Sequence, residues 1–533
     1  MKYLRSDALS LRGWWKLRPA DAALRSALRA TIGANAVLVV VVLLGHPELG
    51  AAAAFGGMTA VHARFEPFAV RGRLLAGVAL GMVVSVGAGV AASAAGWGTV
   101  PIVVLVAALA ALAKLLTDAV GSGPPGGLMF VFAVSTMAMF PVTWSEVGWH
   151  LLSVAAGGAV AWLVGMSGRL VDQLGPVRLL VARALDAVAT SRVTGDPHPA
   201  IAAIDAAWRA VNTVPARREV SGLEAALVDA DLVLHDSSRA VAPLRERARE
   251  LRAIRGIPVT AEGRRRRALL LHGGPVPGSR RSPGTLPAWG RMLRSAVRPS
   301  SAVFVGTVRV GLGVLAAGLL AAGFGFGHAY WAMVAAAAVL QTTNVRHTVH
   351  RTVQRAVGTV AGAVLGAALL LAQPSQPVVL TCVVIALLGA EFYVVRNYAA
   401  AMVFVTPLTL LLASIPAPAD AAGLVADRVL DTVLGAFVGF LAAVVVPGRH
   451  RHATAVRRAL ESLEAANAEL RRGLEAGDRP GLARARADVL SAVAALRRAR
   501  DTVRGELFGS PLADQAGEAE RHGYRLLRRT TAG

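Results

Sequence analysis

The chain has 533 residues, 55% of them hydrophobic, with a mean hydropathy of +0.53 and a formal net charge of +23. Length and apolar content together exclude a single soluble domain and make an integral membrane protein the expectation. The basic excess does not read as nucleic-acid binding, because the arginines avoid the apolar runs and gather in short turns and two polar blocks, as the positive-inside rule requires.

Ahead of the first apolar run stand Trp14, Trp15, Lys16 and a polar stretch over 18–29, with no small-residue cleavage site, so no removed signal peptide is expected. A span needs about 20 apolar residues, with a range of roughly 17 to 25. The first half offers six segments, 28–44, 50–61, 74–95, 99–116, 126–140 and 147–167, of which the second and fifth are short. Residues 169–300 are polar, with helix periodicity over 179–189, 200–211 and 220–253. A flexible basic linker is then read over 257–299, where Arg264 to Arg267 and several prolines and glycines cluster. Six further segments follow at 303–324, 330–343, 353–371, 378–394, 398–415 and 424–446, the second again short. Beyond Pro447 a helical hairpin is expected, 453–474 and 482–507, turned at Asp478, Arg479 and Pro480. Its apolar face (Val456, Leu460, Leu463, Leu470, Val489, Val493, Leu496) packs on the other cytoplasmic helices or pairs with a second protomer.

The halves share an order. Residues 330–371 run from a short apolar segment through a basic turn (Arg346, His347, His350, Arg351, Arg355) to a helix carrying Gly358, Gly362 and Gly366. A weaker copy begins at Leu49, roughly 281 residues earlier, with Arg64, Arg71 and Arg73 in its turn and Gly77, Gly81 and Gly89 in its helix. The expected architecture is an all-α polytopic membrane protein of two parallel six-helix repeats, about 12 transmembrane helices, plus cytoplasmic helical regions. Its divisions are a cytoplasmic N-terminus at 1–23, repeats at 24–168 and 301–448, a helical region and linker at 169–300, and the hairpin region at 449–533. Basic residues fill 63–73, 344–355 and the turn at Arg396, whereas 46–49, 96–98, 373–376 and 416–422 hold no Arg or Lys. Both termini are therefore expected in the cytoplasm of a bacterium, the chain crossing its plasma membrane repeatedly. If the short second segments did not cross, the basic turns would fall outside. Short segments at matching places point to a central site, where freed backbone groups meet substrate, or to tilted helices.

No Gly-Lys-[Ser/Thr] loop, G-x-S-x-G elbow or His-Glu-x-x-His site occurs, so neither ATP hydrolysis nor other enzyme activity is expected, and no cofactor is implied. Cys382 stands alone, and His347 and His350 lack acidic or thiol company, so no metal site is read. The glycines at four-residue multiples, with Gly435 and Gly439, read as close helix packing. Trp97, Trp144, Trp149, Tyr330 and Trp331 are expected in an outer interfacial belt and Tyr393 and Tyr398 in an inner one. Charged residues inside apolar segments face a partner or a wet cavity. Arg29 and Arg309 each precede a glycine by four residues, Gly33 and Gly313, and form either an anion-binding collar across the axis or snorkelling contacts to headgroups. Asp427, Arg428 and Asp431 open the last helix, where Arg428 and Asp431 make an internal ion pair or a proton relay. Nothing matches them in the first half at Leu151 or Val154, though His150 is near.

The second half resembles the fusaric acid resistance-like family, grouped with aromatic acid exporters and, more distantly, with plant aluminium-activated malate transporters. The resemblance rests on Tyr330-Trp331-Ala332, on Gln354-Arg355-Ala356-Val357-Gly358-Thr359, on Thr406-Pro407-Leu408 and on the string from Arg428 to Gly435. The first half fits in outline only, lacking the Tyr-Trp pair and both arginine strings. The resemblance implies efflux of aromatic carboxylates or other organic anions across the bacterial inner membrane, often beside a periplasmic adaptor. Arg309, Arg29, Arg355, Arg346, Arg428 and Asp431 are the candidate path residues. A passive organic-anion channel and a non-transporting envelope scaffold are the alternatives.

Overall fold

The computed structural model describes residues 23–529 apart from 216–219, 237, most of 255–285, 300, 342–344, 415–420, 447–448, 477–478 and 505–510. The described residues form twenty α-helices and no strand, as the all-α reading requires. They divide into two compact units, one from residues up to 64, 72–166 and 289–448, the other from 65–71, 167–288 and 449–533.

In chain order the first unit receives α1 (Ala23–Leu43), α2 (Gly50–Gly57, continued by a 3-10 turn at Met58–Val61), α3 (Phe68–Ala94), α4 (Thr99–Val120), α5 (Leu128–Met137) and α6 (Trp144–Val171). The second unit takes α7 (Gly175–Thr194), α8 (His198–Asn212), α9 (Ser221–His235) and α10 (Ala242–Ala253). The chain returns to the first with α11 (Trp289–Ala296), α12 (Ala302–Gly323), α13 (Tyr330–Val339), α14 (Val345–Leu371), α15 (Gln376–Tyr393), α16 (Tyr398–Ser414) and α17 (Ala421–Val445). It closes in the second with α18 (Arg449–Ala476), α19 (Arg479–Arg504) and α20 (Pro511–Arg529). Helices α1, α3, α4, α6, α12, α14, α15 and α17 are long and apolar enough to cross a membrane, and α5, α13 and α16 are shorter apolar helices.

Each expected apolar segment is a helix, but much of the expected basic turn sequence is helix too. Arg71 and Arg73 lie in the first two turns of α3, and residues 345–355 are the first three turns of α14. Hydropathy marks where the chain becomes apolar, whereas arginine is a good helix former and no breaker separates Val345 from Leu371. Arg64 and Arg396 do sit in turns, as expected.

The short second helices fold back along the first. Gly50 packs on Leu38 and Val42, Gly57 on Ala34, and Ala60 on Gly33. In the second half Met333 meets Gly318 and Leu340 meets Gly313. Each return therefore covers roughly 15 Å of its neighbour's length, at 1.5 Å per residue. Packing is then exchanged between halves: α1 lies on α15, α12 on α4, and α13 crosses to α5, which α2 also contacts. Gly358, Gly362 and Gly366 let α14 lie against Ala399, Met402, Thr406, Pro407 and Leu410 of α16. Gly81 and Gly89 do the same for α3 against Phe130, Val134 and Met137 of α5, but Gly77 has nothing within 4 Å of where a Cβ would stand, so its packing role is not found.

The second unit is built from amphipathic helices around one core. Leu185, Val188, Trp208, Leu223 and Leu227 join Val456, Leu460, Leu463, Leu470, Val489, Val493 and Leu496, so the hairpin face does pack on the preceding helices. Helix α20 was not expected, because its charged surface hides the short apolar stripe of Ala516, Leu526 and Leu527. The expected linker contains helix α11, and most of its remainder lies outside the described residues.

Candidate functional site

Helix α13 is made of apolar and aromatic residues without a charge, and all ten are buried. Tyr330 and Trp331 are therefore interior groups and not part of a belt, whereas Trp97, Trp144 and Trp149 are exposed as belt residues should be. The Trp331 indole is stacked by His328 at 4.9 Å between ring centroids, and the Arg428 guanidinium stands 5.0 Å from its ring. That placement draws a cation onto the negative face of the indole.

Helix α17 supplies Asp427, Arg428, Asp431 and Thr432. Asp427 Oδ2 lies 2.7 Å from His328 Nδ1. Arg428 and Asp431 do not form the expected ion pair. Both Asp431 oxygens, the Arg428 Nε and Nη1 and the Thr432 hydroxyl are buried without a hydrogen-bond partner among the described residues. From α14 come Arg355, which donates to Tyr398 Oη at 3.2 Å and faces Met402 Sδ at 3.6 Å, and Thr359, whose buried hydroxyl is also unpartnered. Buried polar groups are normally satisfied, and an ionic set with its hydrogen bonds incomplete calls for water, a proton or a ligand to complete it.

Next to this set, α2, α5, α13 and α16 enclose a cavity of about 40 Å³, lined by Phe55, Met58, Phe132, Thr136, Tyr330, Trp331 and Thr409 among others. It has room for a water or two and not for an aromatic acid. Trp331 belongs to both, so the cavity and the cationic set share a wall.

The other candidate residues lie elsewhere. Arg309 is buried and donates through Nε to Val446 O at 2.7 Å, serving the carbonyl end of α17. Arg29 reaches Arg64 O at 3.5 Å, beside Glu391. The two arginines thus occupy different neighbourhoods and the structure does not bring them into a collar. Arg346 is in the first turn of α14, its side chain outside the described residues, as are those of His347 and His350. Gly435 and Gly439 seat α17 against Ala332 and Ala336 of α13.

Two ties cross between the halves. Arg64 Nη2 meets Glu391 Oε2 at 2.5 Å, both side chains nearly buried, so the turn after α2 is held by α15. Lys114 Nζ meets Asp118 Oδ2 at 2.9 Å and donates to Gln341 O at 3.4 Å, so the residue after α13 is held by α4. His62, not singled out from the sequence, is buried beside the first tie between Met58 O and Gly126 O, and burial pushes its imidazole down to about 4.

Contacts also supply a register. Gly33 packs on Ala60 and Ala161, and Gly313 on Leu340 and Ala442, pairs that lie 280 to 281 residues apart. On that register Asp431 corresponds to His150, Asp427 to Glu146 and His328 to Glu48. His150 is buried with its Nδ1 unpartnered, and Glu146 and Glu48 are close enough to act on it electrostatically. Leu151 and Val154, one and four positions further on, carry no matching group. Matching the residues that contact Gly33 (Ala60, Ala161) with those that contact Gly313 (Leu340, Ala442) is the signal that finds His150.

Residues 315–442 match the family model described as fusaric acid resistance protein-like, the stretch that holds Trp331, Arg355, Arg428 and Asp431. The second membrane half is thus fusaric acid resistance protein-like, as its motifs indicate. An uncharacterized membrane protein of Bacillus subtilis (strain 168), YvaC, is 26% identical over 448 residues, covering 77% of this chain and 70% of that protein. No solved structure matches the chain.

Proposed function

We propose that this membrane protein moves a small organic anion, an aromatic carboxylate by preference, along a path between α2, α5, α13 and α16, with Arg428 and Arg355 receiving the carboxylate. The observation that carries this reading is that Arg428 lies over Trp331 while its Nε and Nη1, both Asp431 oxygens and the Thr432 and Thr359 hydroxyls are buried without a hydrogen-bond partner among the described residues. Two guanidinium groups suit a carboxylate, and the adjoining aromatic wall suits a ring. The family match over this half supports transport, and efflux across the bacterial inner membrane follows the resemblance.

The backfolded α2 and α13 support a chain that returns to its starting side after each first helix. Arg29, near the start of α1, lies beside Arg64 of the turn, which favours placing the basic turns and both termini on the cytoplasmic side. The repeated contact register and the exchanged α1/α15 and α12/α4 packing favour two parallel halves about an axis along the membrane normal. A cavity of about 40 Å³ corresponds to a closed state, and rocking of one half against the other opens it. Asp431 and His150, at equivalent depths, are the groups on which a proton would ride.

The reading is tested in proteoliposomes loaded with radiolabelled benzoate. An imposed pH gradient drives benzoate movement by the native chain, and Asp431→Asn lowers the gradient-driven rate about tenfold. Benzoate current that ignores the gradient makes the chain a passive channel. Movement no faster than in empty vesicles leaves a scaffold.

A further inference from the structure

The second unit contains a cleft that the membrane path does not use. Helix α7 stops at Gly195, whose φ of +72° suits a residue without a Cβ, and Asp196 Oδ1 accepts the N–H of His198 at 3.1 Å. This turn fixes the start of α8 at the rim of a cavity of about 450 Å³, within the range of small-molecule sites. The opposite wall carries Arg497 and Arg500 of α19 with Glu520 and Arg521 of α20.

Glu520 is almost wholly buried and is approached at once by Arg500, by His198 and, at 3.6 Å, by Arg497. Three cationic or potentially cationic groups thereby converge on one buried carboxylate. Arg521 is exposed at the cleft and has no ionic or hydrogen-bond partner among the described residues. Asp196, the other acid of the cleft, is occupied with the N-terminus of α8. The lining side chains include three guanidinium groups and two carboxylates, and the partial charge of the α8 N-terminus adds to the positive side.

We propose that this cleft is a binding site for a small oxyanion of one or two negative charges, a carboxylate or a phosphate, held by Arg521 and Arg497 against the wall formed by Arg500 and Glu520. The bound anion joins the α7–α8 turn to the α19–α20 pair, giving the second unit a ligand of its own, separate from whatever the first unit moves.

The test uses the full-length protein in nanodiscs, with equilibrium dialysis against radiolabelled inorganic phosphate in one arm and radiolabelled benzoate in the other. A saturable site is expected in at least one arm. Arg521→Gln and Arg497→Gln each weaken it about tenfold, as loss of a charge-assisted contact should, and Arg521→Lys restores part of the loss. Arg428→Ala in the membrane unit leaves this site unchanged. Saturation by phosphate alone identifies a phosphate site, and saturation by benzoate that survives Arg428→Ala identifies a carboxylate site; both support the proposal. Binding in neither arm, binding indifferent to both glutamine variants, or binding removed by Arg428→Ala alone overturns it. Arg521 is exposed, so its variants are expected to melt with the native chain, which a thermal scan checks.

Discussion

The two halves of the membrane unit share the contacts made at Gly33 and at Gly313 and differ in the side chains set around them. Where the second half has Tyr330, Trp331, Arg355, Thr359 and Arg428, the contact register places Gly50, Ala51, Leu74, Val78 and Val147 in the first. Ala51 and Trp331 line the same cavity, one as a methyl group and the other as an indole. Close packing of glycines and alanines therefore occurs on both sides, and the cationic set on one. A titratable group survives on both sides, as Asp431 and as His150.

The strongest way to break that comparison is to remove the cation. Arg428→Ala is expected to lower benzoate transport about a hundredfold, the equivalent of 2 to 3 kcal/mol, while Val147→Ala at the corresponding place changes it less than about twofold. Equal losses at both positions would show that the two halves share the work. The next contrast lies at His62, whose counterpart 280 residues on in the sequence is Thr342. With the folded imidazole near 4 and the unfolded one near 6.5, the unfolded chain takes up a proton that the fold refuses. Stability is therefore full above pH 6.5 and falls as pH drops towards 4, by on the order of 3 kcal/mol. Thermal melts in detergent at pH 7.5 and 4.5 read this difference, and His62→Gln should flatten it.

Packing gives a smaller contrast. A Cβ at Gly435 would run into the Ala332 carbonyl, so Gly435→Ala is expected to cost about 1 to 3 kcal/mol in denaturant melts. Smallest is Gly77→Ala, which enters open space within a helix and should stabilise by about 0.5 to 1 kcal/mol. A destabilised Gly77→Ala would mean that something covers this face of α3.

Hydropathy located every helix of the membrane unit except α11, since a lipid-facing or deeply buried helix has no alternative to an apolar sequence. It misplaced the starts of α3 and α14, because arginine ends an apolar run without ending a helix. The spacing of Arg428 and Asp431 allowed an ion pair that the structure does not make. Trp331, distant in sequence, competes for the guanidinium, and i, i+3 spacing says nothing of it. Trp331 itself read as a belt residue because an aromatic at the end of a short apolar run looks the same whether lipid or protein surrounds it. The basic cleft was illegible, since its members come from residues 194–198, 497–500 and 517–521 and meet only when α20 folds onto α19.

The exchanged packing of α1 on α15 and of α12 on α4 bears on how the protein is made. About 350 residues separate the end of α1 from the end of α15, so at roughly 5 to 20 residues per second the ribosome takes roughly 20 to 70 s to deliver the surface that α1 needs. Throughout that interval the nascent first half waits in the bilayer unmatched, and a gene cut between the halves should give two fragments that persist only when both are synthesised in the same cell.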